Sequence, residues 1–133
     1  MSDQAGPIAV TTKLTDGSVA STVERFCALL DGKGIRIFAV IDQREEARKA
    51  GLDLRDTVLV IFGDPKAGTP VMVASPMTAL DLPLKVLCWD DDGQTKVSYE
   101  SPASLARRHG LAPDLAPELA GIDVLTDALV ASG

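Results

Sequence analysis

The stretch FGDPKAGTP, residues 62–70, holds the residue types and spacing that come nearest to a binding motif in this sequence. Gly63 and Gly68 are separated by four residues and follow an apolar run, which is the glycine spacing of a phosphate-binding loop. Such a loop also needs Lys and then Ser or Thr directly after the second glycine, because the lysine neutralises the phosphates and the hydroxyl holds magnesium. Thr69 and Pro70 occupy those positions. The sequence therefore argues against hydrolysis of nucleoside triphosphates.

A weaker version of this site remains open, in which the loop holds a small anion or carboxylate. The glycines, the Lys66 side chain and the N-terminus of a short helix capped by Thr69 would supply the contacts. The alternative is a plain strand-to-helix connection, in which Asp64 sets the turn and Gly63 or Gly68 takes positive φ. The candidate ligand-binding residues are Gly63, Asp64, Lys66, Gly68, Thr69 and Lys85.

His109 is the single histidine, which excludes a His-pair metal site and leaves one candidate histidine base for an acid/base reaction. Its position near the end of a predicted helix favours a cation that interacts with the helix dipole at the surface. General-base catalysis would need a partner such as Tyr99, Asp64 or Ser104 within hydrogen-bond distance. We expect no metal and no cofactor, and the catalytic residues stay unassigned.

Charge and hydropathy limit the classes of partner. The formal net charge is -6, the wrong sign for a protein that binds nucleic acid or anionic lipid. No apolar run approaches the roughly 18 residues of a membrane span, and the first residues, MSDQAGP, lack the features of a signal peptide. Cys27 and Cys88 lie in apolar stretches and suit small buried side chains in a reducing compartment. We expect a cytoplasmic protein with no nucleic-acid or membrane contact.

Apolar periodicity and turn residues predict the elements that position these side chains. The predicted strands are 8–14, 35–41, 57–62, 82–90 and 95–99, and the predicted helices are 18–32, 42–51, 102–109 and 115–129. Thr69-Pro70, Ser75-Pro76 and Ser101-Pro102 are predicted to open three helical turns, two of them very short. The alternation of 35–41 places Ile37 and Ile41 on one face, and 57–62 is apolar on both faces, which predicts a strand inside the sheet.

The order of these elements predicts a single α+β domain over residues 8–131, after a flexible segment 1–7. The Asp92-Gly93 pair joins the last two strands and predicts a β-hairpin. One long helix precedes the remaining strands and another follows them. The mixture favours a mostly antiparallel, curved, five-stranded sheet with the helices packed on one face.

The chain resembles the family of domain of unknown function 302, which contains small bacterial and archaeal proteins. Three runs carry the likeness, over nearly all of residues 8–131: LVIFGDPKAGTPVM, DLPLKVLCWDDDG and VSYESPASLARRHGL. The resemblance implies a β-α-β(4)-α arrangement similar to the TATA-binding-protein class, and it is compatible with homodimers. It implies no reaction and no catalytic residues.

Three functions follow from the sequence, and the first is favoured. In that one, the domain binds a small anionic ligand without catalysis, on a concave sheet beside the glycine stretch. In the second, it is a small acid/base enzyme that uses His109 or Asp64. In the third, it is a homodimeric structural subunit with an apolar interface, formed by Met72, Val73, Met77 and Leu80.

Overall fold

The computed structural model describes residues 8–115 and 119–133 of the chain. The strands are β1 (Val10–Thr15), β2 (Arg36–Asp42), β3 (Thr57–Gly63), β4 (Leu84–Asp91) and β5 (Gln94–Glu100). The helices are α1 (Val19–Gly32), α2 (Gln43–Lys49), α3 (Pro65–Ala74), a 3₁₀ helix (Pro76–Leu80), α4 (Pro102–Arg108) and α5 (Gly121–Ala131). The predicted flexible segment 1–7 and residues 116–118 of the predicted last helix lie outside the described residues.

The strands form one antiparallel sheet in the order β1-β5-β4-β3-β2. Without the short helices α2, α3 and α4 and the 3₁₀ helix, the elements follow the order β-α-β-β-β-β-α along the chain. This arrangement confirms the predicted α+β class. β3 pairs with β2 on one side and with β4 on the other. The apolar run 57–62 therefore lies inside the sheet, as its two apolar faces predict.

One face of the sheet packs against α1 and α5, and the core lies between these two layers. The central strands contribute fully buried valines to it, namely Val60, Val86 and Val97. Phe26 of α1 meets Phe62 of β3 edge to face, with the ring centroids 5.2 Å apart. Side chains alternate along a strand, so Leu59 and Leu87 lie on the opposite face, where they are half-buried.

Three short-range predictions are confirmed. The Ser18 side chain caps α1 by accepting a backbone N–H of the first turn at 3.0 Å. Asp42 caps α2 in the same way and accepts the N–H of Glu45 at 3.0 Å. Asp92 and Gly93 both have positive φ, 49° and 95°, which is the backbone of a tight hairpin turn between β4 and β5. These signals depend on neighbours in the chain alone.

The simple alternation predicted for 35–41 is interrupted by a bulge in β2. The register with β3 shifts between Ile37 and Ala39, so that Ile37 pairs with Phe62 whereas Ile41 pairs with Leu59. Phe62 and Leu59 are on opposite faces of β3 because they are an odd number of residues apart. The prediction that Ile37 and Ile41 share a face is therefore wrong, since a bulge inserts one residue and exchanges the faces beyond it.

The helix predicted to open at Thr69-Pro70 begins earlier, at Pro65, so that prediction is wrong. Asp64 accepts the N–H of Lys66 at 3.0 Å and caps the helix, and Pro65 suits the first helical position. Pro70 consequently stands inside α3, where it contributes no N–H to the helix. The predictions at Ser75-Pro76 and Ser101-Pro102 are confirmed, because helices begin at both prolines.

Replacing the buried aromatic ring of α1 tests the packing of helix on sheet. Phe26→Ala should lower the free energy of unfolding by about 3–5 kcal/mol, because it deletes a fully buried ring and leaves a cavity against Phe62. Val124→Ala in α5 is the control, since Val124 is 65% exposed and should change stability by less than about 0.5 kcal/mol. Urea denaturation measures both. Equal losses in the two variants would contradict this core.

Candidate functional site

The stretch 62–70 is a junction between a strand and a helix. β3 ends at Gly63, and Asp64 caps α3. Gly63 is extended and Gly68 is helical, and neither is among the glycines with positive φ. The predicted positive φ at one of the two is therefore wrong, because an Asp-Pro helix start makes this connection without it.

A cleft of about 300 Å³ lies beside this junction, and we name it the β3–α3 cleft. Its walls are mostly apolar and include Phe38, Met72, Ala79, Leu82, Pro83 and Leu119. The junction itself contributes Gly63, Asp64, Gly68 and Thr69, and Asp64 is the one charged residue among the described residues of the lining. A cavity of this kind, apolar with a few polar groups, is typical of sites for small molecules.

The structure brings four of the six predicted ligand-binding residues to the β3–α3 cleft: Gly63, Asp64, Gly68 and Thr69. It separates the two lysines from them. Lys66 is exposed on the first turn of α3, and Lys85 lines a different cleft. Sequence reasoning also missed the apolar walls, because segments far apart in the chain supply them and no local pattern connects those segments.

A second cleft, of about 250 Å³, lies where β4 and β5 separate, and we name it the β4–β5 cleft. The pairing of β4 with β3 includes Leu84, the first residue of β4. Its pairing with β5 stops at Leu87, opposite Ser98. The cleft combines apolar and charged side chains, among them Val10, Leu59, Leu87, Asp81, Lys85 and Glu100.

Asp81, Glu100, Arg108 and His109 form a largely buried ionic cluster, the Asp81 cluster. Nη1 of Arg108 donates to both Glu100 carboxylate oxygens at 2.6 and 2.7 Å, and Nη2 donates to Oδ2 of Asp81 at 2.7 Å. Nε2 of His109 lies 2.6 Å from the same Asp81 oxygen. The hydroxyl of Ser104 donates to Glu100 at 2.8 Å. These bonds fasten the segment after the 3₁₀ helix to α4 and to the end of β5.

His109 has a partner that sequence reasoning did not name. It follows the last residue of α4, as predicted, but its side chain is only 10% exposed and contacts Asp81 instead of Tyr99, Asp64 or Ser104. It lines neither of the two clefts. This contact joins the residue after α4 to the segment after the 3₁₀ helix, and no signal in the sequence pairs two residues that lie 28 positions apart.

The chain matches the family described as "Domain of unknown function DUF302" over residues 10–129. Among curated proteins, it is 41% identical over 102 residues to "Fluoride-specific ion channel FluC 1" of Brucella suis biovar 1, which covers 74% of this chain and 40% of that protein. The identity to "Fluoride-specific ion channel FluC 2" of Brucella melitensis biotype 1 is also 41%, over 74% of this chain and 38% of that protein. The chain thus spans about two fifths of these relatives.

A solved structure shares the fold. It is the "Crystal structure of uncharacterized conserved protein DUF302 from Bacillus stearothermophilus", with a TM-score of 0.78 and 21% sequence identity. The similarity covers 92% of this chain and 95% of that one. Separately, none of the helices in residues 8–115 and 119–133 has the length and apolar character needed to cross a membrane.

The Asp81 cluster predicts how stability depends on pH. Burial acts to raise the pKa of Asp81, but the hydrogen bonds from His109 and Arg108 outweigh it and lower the pKa below its ordinary value. A carboxyl with a lowered folded pKa stabilises the protein above its unfolded pKa of about 3.9, and this stabilisation is lost as the pH falls through the folded pKa. Asp81→Asn should therefore cost about 1–3 kcal/mol near pH 6 and less in acid.

Urea denaturation of both proteins between pH 6 and pH 2 measures this difference, with Asp53→Asn as the control. Asp53 is exposed, so its substitution should leave the curve almost unchanged. A cost of Asp81→Asn that is the same at every pH would contradict the ionic role of Asp81.

The two cysteines are free, and their environments predict different reactivity. Burial raises the pKa of Cys88 to about 12, with the negative charge of Cys27 as a smaller cause. Burial also raises the pKa of Cys27, but its side chain is partly exposed. Because the thiolate is the reactive form, a disulfide reagent at pH 8 should label Cys27 slowly and leave Cys88 unlabelled. Labelling of both at one rate would contradict this burial, and both should react in denaturant.

Proposed function

The chain belongs to the DUF302 family, and we propose that it is a non-catalytic binding domain for a small ligand with an apolar body, held in the β3–α3 cleft. The observation that carries this proposal is the composition of the cleft wall, which is apolar except for the short junction at Gly63–Thr69. A volume of about 300 Å³ is at the lower end of the range for ligand pockets, roughly 300–1,000 Å³. The ligand is accordingly small.

The charges near the cleft favour a neutral ligand over the anion expected from the sequence. Lys66 is exposed and Lys85 lines the other cleft, so neither cation belongs to this lining. Within the part of the chain that the structure describes, the charged group that lines the cleft is the carboxylate of Asp64. A buried anion would therefore lack a countercharge, which is costly. A hydroxyl or amide on the ligand suits Asp64 and Thr69 at the exposed end of the cleft.

Filling the cleft from Gly68 tests this proposal. A Cβ at Gly68 would lie 3.8 Å from Leu82 and 3.9 Å from Met72, which is ordinary contact, so a side chain there enters the cleft without a clash at its first atom. Gly68→Ala should raise the free energy of unfolding by about 0.5–1 kcal/mol, because Gly68 is helical. Gly68→Leu should fill the cleft and abolish ligand binding.

The probes are hexanol and hexanoate, which differ in charge at the polar end. Hexanol at ten times its dissociation constant should stabilise the natural chain by about 1.4 kcal/mol, measured by thermal unfolding, and should not stabilise Gly68→Leu. Gly32→Leu is the matched control, since Gly32 ends α1 and has no atom within 4 Å of its added Cβ. Stabilisation by hexanoate alone, lost in Lys66→Ala, would overturn the neutral ligand. No stabilisation by either probe would overturn binding in this cleft.

A second function is supported by the curated relatives, which are described as fluoride-specific ion channels and are longer than the matched segment. We propose that this domain serves a fluoride channel as a part that does not itself cross the membrane. The identity of 41% over 102 residues supports a shared role of the matched segments. The helices described above fit that role, because none is able to span a bilayer.

A chimera tests the channel role. The matching part of the Brucella suis relative is deleted or replaced with this chain, and fluoride efflux is measured in proteoliposomes. The deletion should impair efflux and the chimera should restore it. A chimera carrying Phe26→Ala, which destabilises the domain, is the control and should restore less. A deletion that leaves efflux intact would overturn this role.

Homodimerisation and a cytoplasmic location remain predictions. Three apolar side chains of the predicted interface are well exposed, at 78%, 64% and 74% for Val73, Met77 and Leu80. Met72 instead lines the β3–α3 cleft. Val73 lies on α3 and the other two lie on the 3₁₀ helix that follows it. Their exposure supports association, because exposed apolar clusters mark contact surfaces. Light scattering at micromolar concentration should give the mass of a dimer, and Val73→Asp should give that of a monomer. A monomer before substitution would contradict the prediction.

A further inference from the structure

We propose that the β4–β5 cleft binds a small amino acid with an apolar side chain, as the zwitterion. This site adjoins the β3–α3 cleft, with which it shares Leu84, and the proposal does not depend on the function proposed above. It follows from three features that meet in one place: strand backbone without a partner, charges of both signs, and an apolar floor.

The first feature is the gap in the sheet. Leu84 and Lys85 pair with β3, opposite Phe62 and Ile61, but the ladder between β4 and β5 stops at Leu87. Backbone N–H and C=O groups of successive strand residues point to alternate sides, so one of these two residues directs its groups toward the gap. Within the described residues, no other backbone bond satisfies them. Polar backbone groups at a cleft need water or a ligand as partner.

The second feature is a pair of oppositely charged side chains that can still bind a ligand. Lys85 lines the cleft and makes no hydrogen bond or ion pair with another described residue. Among the described residues, the bonds that Asp81 accepts use Oδ2, so Oδ1 stays available as an acceptor. Glu100 also lines the cleft, but Arg108 holds both of its oxygens. One cation and one carboxylate oxygen therefore remain for a ligand.

The third feature is the apolar floor, formed by Val10, Leu59 and Leu87. Leu59 and Leu87 are directly paired across β3 and β4, so their side chains lie together on one face of the sheet. The cleft volume of about 250 Å³ is below the range of roughly 300–1,000 Å³ that is typical of drug-sized ligands. The occupant is therefore a small metabolite with a short hydrocarbon group.

An amino acid satisfies all three features at once. Its carboxylate pairs with the Lys85 ammonium group, and its ammonium group donates to Oδ1 of Asp81. The backbone groups at the gap complete the hydrogen bonds of either end, as a neighbouring strand would. Its side chain packs on Leu59 and Leu87. A simple anion leaves Asp81 unmatched and a simple amine leaves Lys85 unmatched, so each should bind less tightly.

Titration calorimetry of the full chain with L-leucine, near neutral pH, tests the site. Lys85→Ala should weaken binding by about 10- to 100-fold, the loss of one charge-assisted hydrogen bond. Lys66→Ala is the matched control and should not change it, since Lys66 is an exposed lysine that lines neither cleft. Isocaproate and isoamylamine, which each lack one charged group of leucine, should bind more weakly by a similar factor.

The outcomes separate this site from the other cleft. Gly68→Leu should leave leucine binding unchanged, because Gly68 lines the β3–α3 cleft alone. Loss of leucine binding in Gly68→Leu would overturn the location, and unchanged binding in Lys85→Ala would overturn the role of the lysine. Isocaproate binding as tightly as leucine would overturn the zwitterion. The absence of binding by leucine, isoleucine and valine at millimolar concentration would overturn the proposal itself. Because Lys85 is exposed, the Lys85→Ala variant should fold normally, and thermal unfolding of the variant checks this.

Discussion

Both clefts depend on the burial of one sheet face beneath α1 and α5. That burial orders the sheet, because β3, β4 and β5 each contribute apolar side chains to it, and Phe26 packs on Phe62 close to the end of β3. The strand ends then become rigid points from which α3 and α4 depart. A ligand site at such ends is held by the scaffold, which lowers the entropic cost of binding.

The Asp81 cluster fixes the wall between the clefts. Ala79, Leu82 and Pro83 line one cleft, and Asp81, within the same segment, lines the other. Arg108 and His109 both bond Oδ2 of Asp81, so a segment without strand pairing is anchored to α4. Carboxylates that are only partly exposed need such partners, because desolvation of an unpaired charge is costly.

The relatives and the geometry describe different aspects of the molecule. Membership of the DUF302 family and the fold of the Bacillus stearothermophilus protein agree on the architecture. The curated channels match over about two fifths of their length, so their activity belongs to a larger protein than the matched segment.

Features that depend on near neighbours were determined by the sequence: strand and helix order, the caps at Ser18 and Asp42, the Asp92-Gly93 hairpin and the inner position of 57–62. Four residues of the β3–α3 cleft could also be predicted from the sequence, because one short stretch contains them. The bulge in β2, the partner of His109, the apolar walls and the separation of Lys66 from Lys85 were decided by tertiary structure. The physical reason is that these features join segments distant in the chain, whose contacts exist only once the sheet has formed and its register has been chosen.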